Sequence, residues 1–398
     1  MSVTAAQGFR AAGVRAGLKA SGKPDLALVV NDGPLDTAAG VFTTNRVVAA
    51  PVVWSRRLLA GQEGGQPGHA RAVVLNSGSA NACTGAQGMH DTEATATRTA
   101  GLLGAEPGQI LVCSTGVIGE RIDMPVLLEG IDVAALALAD TPQAGTDAAT
   151  AIMTTDTVSK EDTLTVGTGA QSWTIGGMIK GVGMLAPGMA TMLAVITTDA
   201  VLTPQQAQQA LSSVTARTVN RINSDGCMST NDTVLLLASG ASGVSPSRNE
   251  LEKALTEVMS RLGRRLVADA EGATHDIAIT VSGAVSEEAA EAAARTVSSS
   301  NLLKCAVAGA DPNWGRVLSQ LGTVPEDVCP FDPQEVDVTI NGVTIFCHGA
   351  PDQDRDLVDM SPRETRIDIA LSAGRAEATV WTNDLTHGYV TINADYTT

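Results

Sequence analysis

The chain has 398 residues, 44% of them hydrophobic, which is enough for a real core and sets an expectation of two or three domains. Its formal net charge of -17 argues against nucleic acid or an anionic membrane as partner. Aromatic residues make up only 3%, so the core must come from Val, Leu, Ile and Ala.

The six cysteines (Cys83, Cys113, Cys227, Cys305, Cys329 and Cys347) form no Cys-x-x-Cys pair and mostly lie in or beside apolar runs. That pattern suits buried free thiols in a reducing compartment. With no signal-peptide block at Met1–Lys19 and no apolar run of membrane-spanning length, the expectation is a cytoplasmic protein. Leu26–Val30, Gly40–Asn45 and Arg71–Leu75 read as strands. The last ends in a run of small polar residues, Asn76 to Gly85, which reads as a loop whose backbone closely approaches something. Gly64–Gly68 is a plain surface connection. A helix is expected from Asp91 to Leu103, then a short strand, Ile110–Cys113, opening into a turn at Ser114-Thr115-Gly116. A hydroxyl and a bare glycine at a strand's end can supply the two donors that an acyl-transfer oxyanion needs. A purely structural turn is the alternative. Ala151–Thr157 follows, then a hairpin around Gly167-Thr168-Gly169 and the strand-like Trp173–Ile175.

The chain is organised around Lys180-Gly181-Val182-Gly183-Met184-Leu185-Ala186-Pro187-Gly188-Met189-Ala190-Thr191-Met192-Leu193. Pro187-Gly188 forbids a continuing helix and imposes a turn before the apolar strand Met192–Ile196. Thr191 thus begins that strand. A threonine hydroxyl is a poor nucleophile without a base, and no Ser-His-Asp pattern is visible, His90 and His275 being far away in sequence. Cleavage of the Ala190–Thr191 bond would give Thr191 its own base, an α-amine with a reference pKa of ~7.7–8.0. The alternative is a β-branched residue that merely starts a strand. Lys180 is either a solvated lysine or the partner of a substrate carboxylate.

Thr203-Pro204-Gln205-Gln206 combines an N-cap, Pro at N1 and Gln at N3, so a helix starts there and should reach Arg221. A second polar loop, Asn223–Thr233, leads into the strand Val234–Ala238. Leu251, Leu255, Val258, Met259, Leu262 and Leu266 place a long amphipathic helix over Asn249–Ala270, ending at Glu271-Gly272. Ile277, Ile279 and Val281 alternate as a half-buried strand, and Ser286 opens an alanine-rich helix. Asn341-Gly342 marks a two-residue hairpin, with further strands at Ile367–Leu371, Ala376–Trp381 and Tyr389–Asn393.

The Lys180–Leu193 run resembles the cleavage and nucleophile segment of the ornithine acetyltransferase (glutamate N-acetyltransferase) family. Segments at Ser114–Gly119, Asn223–Thr233, Ala270–Gly272 and Asp311–Arg316 extend the resemblance over nearly the whole chain, although Cys227 stands where the family has a small polar residue. The resemblance implies self-cleavage between Ala190 and Thr191, with Thr191 as acetyl carrier and Thr115 and Gly116 as the oxyanion hole. It also implies that Thr157, Lys180, Thr191, Glu271, Asn393 and Thr398 bind substrate, Glu271 holding an ammonium of ornithine. The implied donor is N2-acetylornithine and the acceptor glutamate. Acetyl-CoA stays open as a further donor, no cofactor or metal is expected, and the roles of Asp225, Trp314 and Arg316 stay open. The implied architecture is α/β (α+β), a layered sandwich of mixed sheets and helices cut into two chains. The expected divisions are residues 1–281 and a smaller C-terminal domain, 282–398, two such chain pairs forming a heterotetramer.

Two rival readings fit parts of the same run. Gly181-x-Gly183-x-x-Ala186 satisfies a loose dinucleotide fingerprint, but that fingerprint must open a helix, which Pro187-Gly188 forbids. A self-cleaved amidohydrolase or aminopeptidase would use the same nucleophile with water as acceptor, and an acyl-acceptor assay separates it from a transferase.

Overall fold

A computed structural model describes residues 2–185 and 192–395 of the chain. In chain order the elements are β1 (Phe9–Val14), β2 (Leu26–Asn31), β3 (Thr37–Phe42), α1 (Ala50–Leu59), β4 (Ala72–Ser79), α2 (Gly85–Leu103), β5 (Ile110–Val117), α3 (Met124–Leu136), α4 (Pro142–Ala151), β6 (Lys160–Val166), β7 (Trp173–Lys180) and β8 (Leu193–Thr198). There follow α5 (Pro204–Arg217), β9 (Thr233–Ala238), α6 (Arg248–Ala268), β10 (Asp276–Ala284), α7 (Glu287–Ser298), α8 (Asn301–Ala308), α9 (Trp314–Leu321), β11 (Asp337–Ile340), β12 (Val343–Cys347), β13 (Ala350–Pro351), β14 (Glu364–Ala370), β15 (Ala376–Asn383) and α10 (His387–Asp395).

The strands form three mixed sheets, ordered β1-β2-β4-β5, β3-β9-β8-β7-β6 and β13-β12-β11-β14-β10-β15. Strand periodicity sets the layering. In β8, Leu193 and Val195 face a core shared with the first sheet, whereas Ala194 and Ile196 face a second core with α5 and α6. In β9, Leu235 and Leu237 join the first core, and Val234 and Leu236 the second. A sheet buried on both faces explains why these strands read as unbroken apolar runs. The third sheet has its own core with α7, α8 and α9, where Trp314 stacks on Phe346 at 4.9 Å. Arg316 beside it donates to the Leu302 carbonyl at 2.5 Å, so both are held in local packing. The expected division at 281/282 falls inside β10.

Local chemistry sets several helix starts and one hairpin. Thr203 accepts from the Gln206 N–H and Ser247 from the Glu250 N–H, each within a reciprocal capping box. Asn341 (φ 47°) and Gly342 (φ 85°) turn β11 into β12 with both central residues in the left-handed region.

Several expectations need correcting. Tyr389–Asn393 is not a strand but part of α10, which the Thr386 hydroxyl opens by accepting the Tyr389 N–H at 3.3 Å. Ser114-Thr115-Gly116 is not a turn: β5 runs on through it, because the Ser114 hydroxyl donates to Asn76 Oδ1 (2.6 Å) and its carbonyl accepts from Asn231 (2.8 Å). The helix expected from Asp91 starts six residues earlier, since α2 begins at Gly85. All six cysteines are free, but Cys83, Cys227 and Cys305 are exposed and not buried. Among the described residues no helix is long and apolar enough to cross a membrane.

Candidate active site

Where β5, β7 and the segment after α6 meet, a cavity of about 300 Å³ is lined by Thr115, Gly116, Lys180, Asp225, Glu271 and Asn393, among others. Five of these six are the site residues expected from the sequence, and Asp225 is the sixth. Ala190, Thr191 and Thr398, the remaining central expectations, lie outside the described residues.

Parallel pairing of β4 with β5 sets Gly78 opposite Gly116 and ends in a register shift at Gly78–Ser79. Gly116 has φ +133°, and a Cβ there would lie 2.4 Å from the Gly78 carbonyl carbon. Only glycine fits, which leaves bare backbone at the cavity wall. Thr115 beside it is buried, and its Oγ1 accepts from Lys180 Nζ at 3.2 Å. A hydroxyl that accepts from an ammonium points its own proton elsewhere.

Lys180 ends β7 and is only 1% exposed, which rules out the solvated reading. Its ammonium donates to Thr115 and, at 2.8 Å, to Thr154 Oγ1. Burial pushes its pKa below the usual ammonium range, while Asp156 opposes that fall. Two further buried or half-buried lysines lie nearby. Lys160 lies fully buried between Asp156 (2.7 Å) and Asp269 (2.5 Å), and Lys19 donates to the carbonyls of Pro24 and Met153. Burial lowers the Lys19 pKa to about 8.

Asp156 gathers this network. It accepts from the Gly181 N–H (2.8 Å) and the Thr154 N–H (3.0 Å) as well as from Lys160. Burial alone would raise its pKa, but the charges of Lys180 and Lys160 prevail and hold it at about 2, below the ordinary 3.8. A carboxyl depressed in the folded state stabilises the fold fully above its unfolded pKa and ceases to do so as pH falls through the folded value. The difference in unfolding free energy between wild type and Asp156→Asn should therefore narrow by about 2 kcal/mol from pH 6 to pH 2. Urea melts of both proteins over that range measure it, and a constant difference would refute the assignment.

Thr157 does not line the cavity. It is exposed, with its N–H and hydroxyl both on Asp269. Glu271 does line it, accepting from Thr155 Oγ1 and from Asn393 Nδ2, each at 3.0 Å. Gly183 passes so close to Glu271 that a Cβ would sit 2.8 Å from Oε2. Asn393 projects from α10, so the C-terminal segment is tied to the site.

The polar loop 223–233 serves as the frame. Leu185 accepts the Ser224 N–H at 2.5 Å, and Met184 donates its N–H to Asp225 at 2.6 Å. Met192 donates its N–H to Asp232 Oδ1 at 2.9 Å and accepts from the Thr233 N–H at 3.1 Å. Residues on both sides of the expected cleavage point are thus anchored to one loop. Asp232 is fully buried, and burial raises its pKa well above the usual carboxylate range. The motif had been visible in the sequence, but the pairing of its carboxylates with backbone N–H groups so distant along the chain had not. Cys227 also lines the cavity, and the partial desolvation of its thiol there, with the charge of Asp225, raises its pKa, which disfavours a thiolate nucleophile. His275 is held by Asp384 at 2.9 Å and does not line the cavity.

The ArgJ family model matches residues 10–398. The chain is 58% identical over 398 residues to the arginine biosynthesis bifunctional protein ArgJ of Bifidobacterium longum, covering all of both chains. It is 53% identical over 396 residues to the protein of that name from Streptomyces coelicolor, again covering all of both. A solved ornithine acetyltransferase in complex with ornithine, from Mycobacterium tuberculosis, is 50% identical, with 48% of this chain and 96% of that one covered and a TM-score of 0.44.

Proposed function

The chain belongs to the ArgJ family, and on that premise we propose that it transfers the acetyl group of N2-acetylornithine to glutamate through an acetyl ester on Thr191. One observation carries this reading: Thr115, Gly116, Lys180, Glu271 and Asn393 line a single cavity, although they come from four separate stretches of the chain. A hydroxyl donor, a bare backbone, a buried cation and a carboxylate are what an acylated α-amino acid with a cationic side chain requires.

The chain first cuts itself between Ala190 and Thr191, giving Met1–Ala190 and Thr191–Thr398. The freed α-amine of Thr191 takes the proton of its own hydroxyl, and Oγ1 attacks the acetyl carbonyl. The Thr115 hydroxyl and the Gly116 N–H hold the resulting oxyanion. As the C–N bond breaks, the proton passes to the departing amine of ornithine. Lys180 holds the α-carboxylate and Glu271 the side-chain ammonium, with Asn393 and Thr398 completing the substrate contacts. The amine of glutamate then attacks the ester, and Thr191 regains its proton. Two such pairs of chains associate in the cytoplasm, each with a smaller C-terminal domain built on the third sheet.

One carrier means that donor and acceptor need never be bound together. Double-reciprocal plots against N2-acetylornithine at several glutamate concentrations should give parallel lines. Incubation with N2-acetylornithine alone should add one acetyl group to the chain beginning at Thr191, read by mass spectrometry. Intersecting lines with an unmodified chain would mean direct transfer and end the proposal. Glutamate acetylation with acetyl-CoA as sole donor tests the second donor.

A further inference from the structure

Glutamate poses a problem that ornithine does not, because its side chain carries a second carboxylate where the wall offers Glu271. A second cavity of about 290 Å³ adjoins the first and shares Val182, Asp225, Glu271 and Tyr389 with it. Lys304, from α8, lines this second cavity and is 5% exposed. Among the described residues its ammonium has one hydrogen bond, to the Ser224 carbonyl, and no ion pair.

The neighbouring acids are already engaged. Asp384 accepts from the N–H groups of Thr274 and His275 and from both side chains. Asp225 accepts from the Met184 and Cys227 N–H groups. An ammonium has three donors, so two of those of Lys304 remain for a ligand. A buried cation without a bonded carboxylate is costly to maintain, and an arriving carboxylate relieves that cost. Burial lowers the Lys304 pKa, and Asp225 and Asp384 counter this only through space.

Resting on the reading of glutamate as acceptor, we propose that Lys304 receives the side-chain carboxylate of glutamate in the second cavity while Lys180 keeps the α-carboxylate. Glu271, at the junction of the two cavities, then discriminates by half-reaction: it attracts the ammonium of the donor, and Lys304 draws the acceptor's carboxylate past it. The acceptor thus spans both cavities, and its specificity resides in a residue that the donor does not need.

The two half-reactions allow a test on the processed enzyme. Acetylation of the Thr191 chain by N2-acetylornithine is followed by mass, and transfer from the acetylated enzyme is followed with glutamate or glutamine as acceptor. Wild type should prefer glutamate to glutamine by on the order of 10- to 100-fold in kcat/KM, the scale of one hydrogen bond to a charged group. In Lys304→Met that preference should collapse, with the loss in the glutamate step on the order of 10- to 100-fold greater than any loss in the acetylation step. Lys304→Arg should restore part of the preference. Equal use of glutamine by wild type overturns the proposal without any variant, as does an equal loss in both steps. If N2-acetylornithine fails to acetylate wild type, the acetyl-carrier reading itself fails.

Discussion

Thr191→Ala is expected to leave a single uncut chain of 40.6 kDa and to reduce acetyl transfer by on the order of 10⁴-fold or more. On the proposed mechanism processing and turnover need the same atom, Oγ1 attacking the Ala190 carbonyl in one reaction and the acetyl carbonyl in the other. The flanking structure supports the first attack. Leu185 is fixed through its carbonyl to Ser224, and Met192 through its N–H to Asp232, so the bond to be cut lies between two anchored points. Between those points the sequence carries Pro187-Gly188, which disfavours a continuing helix, and Ala190, whose side chain is small. An N-to-O acyl shift followed by hydrolysis then releases the amine that serves as base afterwards. Thr191→Ser keeps the hydroxyl and should still be cut, which separates loss of the nucleophile from loss of the fold. Denaturing mass spectrometry reads the outcome directly. A Thr191→Ala protein divided at that bond, or active while intact, would remove Thr191 from both roles.

The parts of this molecule that were legible in the sequence are those governed by local rules. Asn341-Gly342 can hardly be anything but a tight hairpin, and the box at Thr203–Gln206 fixes a helix start by itself. The helical spacing of Leu251 to Leu266 survives almost unchanged as α6. Where side chains are small and the partner is remote, the signal fades. β1 went unassigned because Ala11, Ala12 and Gly13 carry almost no pattern, and Gly13 is glycine because a Cβ would meet the Asp147 carbonyl oxygen at 2.0 Å. Tyr389–Asn393 has the β-branched and aromatic composition of a strand, yet the Thr386 cap makes it helix.

The site shows the same division. Local chemistry raises Thr115 and Lys180 only as candidates beside a structural alternative, and Glu271 and Asn393 take a role only from the family motifs that mark them. Their meeting at one cavity depends on the pairing of β4 with β5 and on α10 returning to Glu271. Lys304 carries no motif: a lysine in a helix reads as surface, and only its burial against Ser224 places it at a cavity. The buried cluster of Asp156, Lys160 and Asp269 was likewise invisible, since its members are joined across β6 and the end of α6. Long-range polar networks have no sequence period to betray them.

Thr115→Ala should lower kcat by about 10²–10³, or ~2.7–4 kcal/mol, with little change in KM, as expected for a lost oxyanion donor. The hydrogen-bond geometry gives the reason. Lys180 donates to Thr115 Oγ1 at 3.2 Å, so the hydroxyl proton is directed away from the lysine and the ammonium polarises it. That combination strengthens a donor aimed at a charge which exists only in the tetrahedral intermediate. The substrate's ground state has no such charge and therefore loses little. Lys180 keeps its 2.8 Å bond to Thr154, so its position does not depend on Thr115. Thr115→Ser retains the donor and should recover most of the rate. Self-cleavage passes through its own tetrahedral intermediate at Ala190, and slower processing of newly made Thr115→Ala would place both oxyanions in one hole. A rise in KM with kcat intact would instead make Thr115 a ground-state contact, and the oxyanion would then have to rest on Gly116 and Lys180.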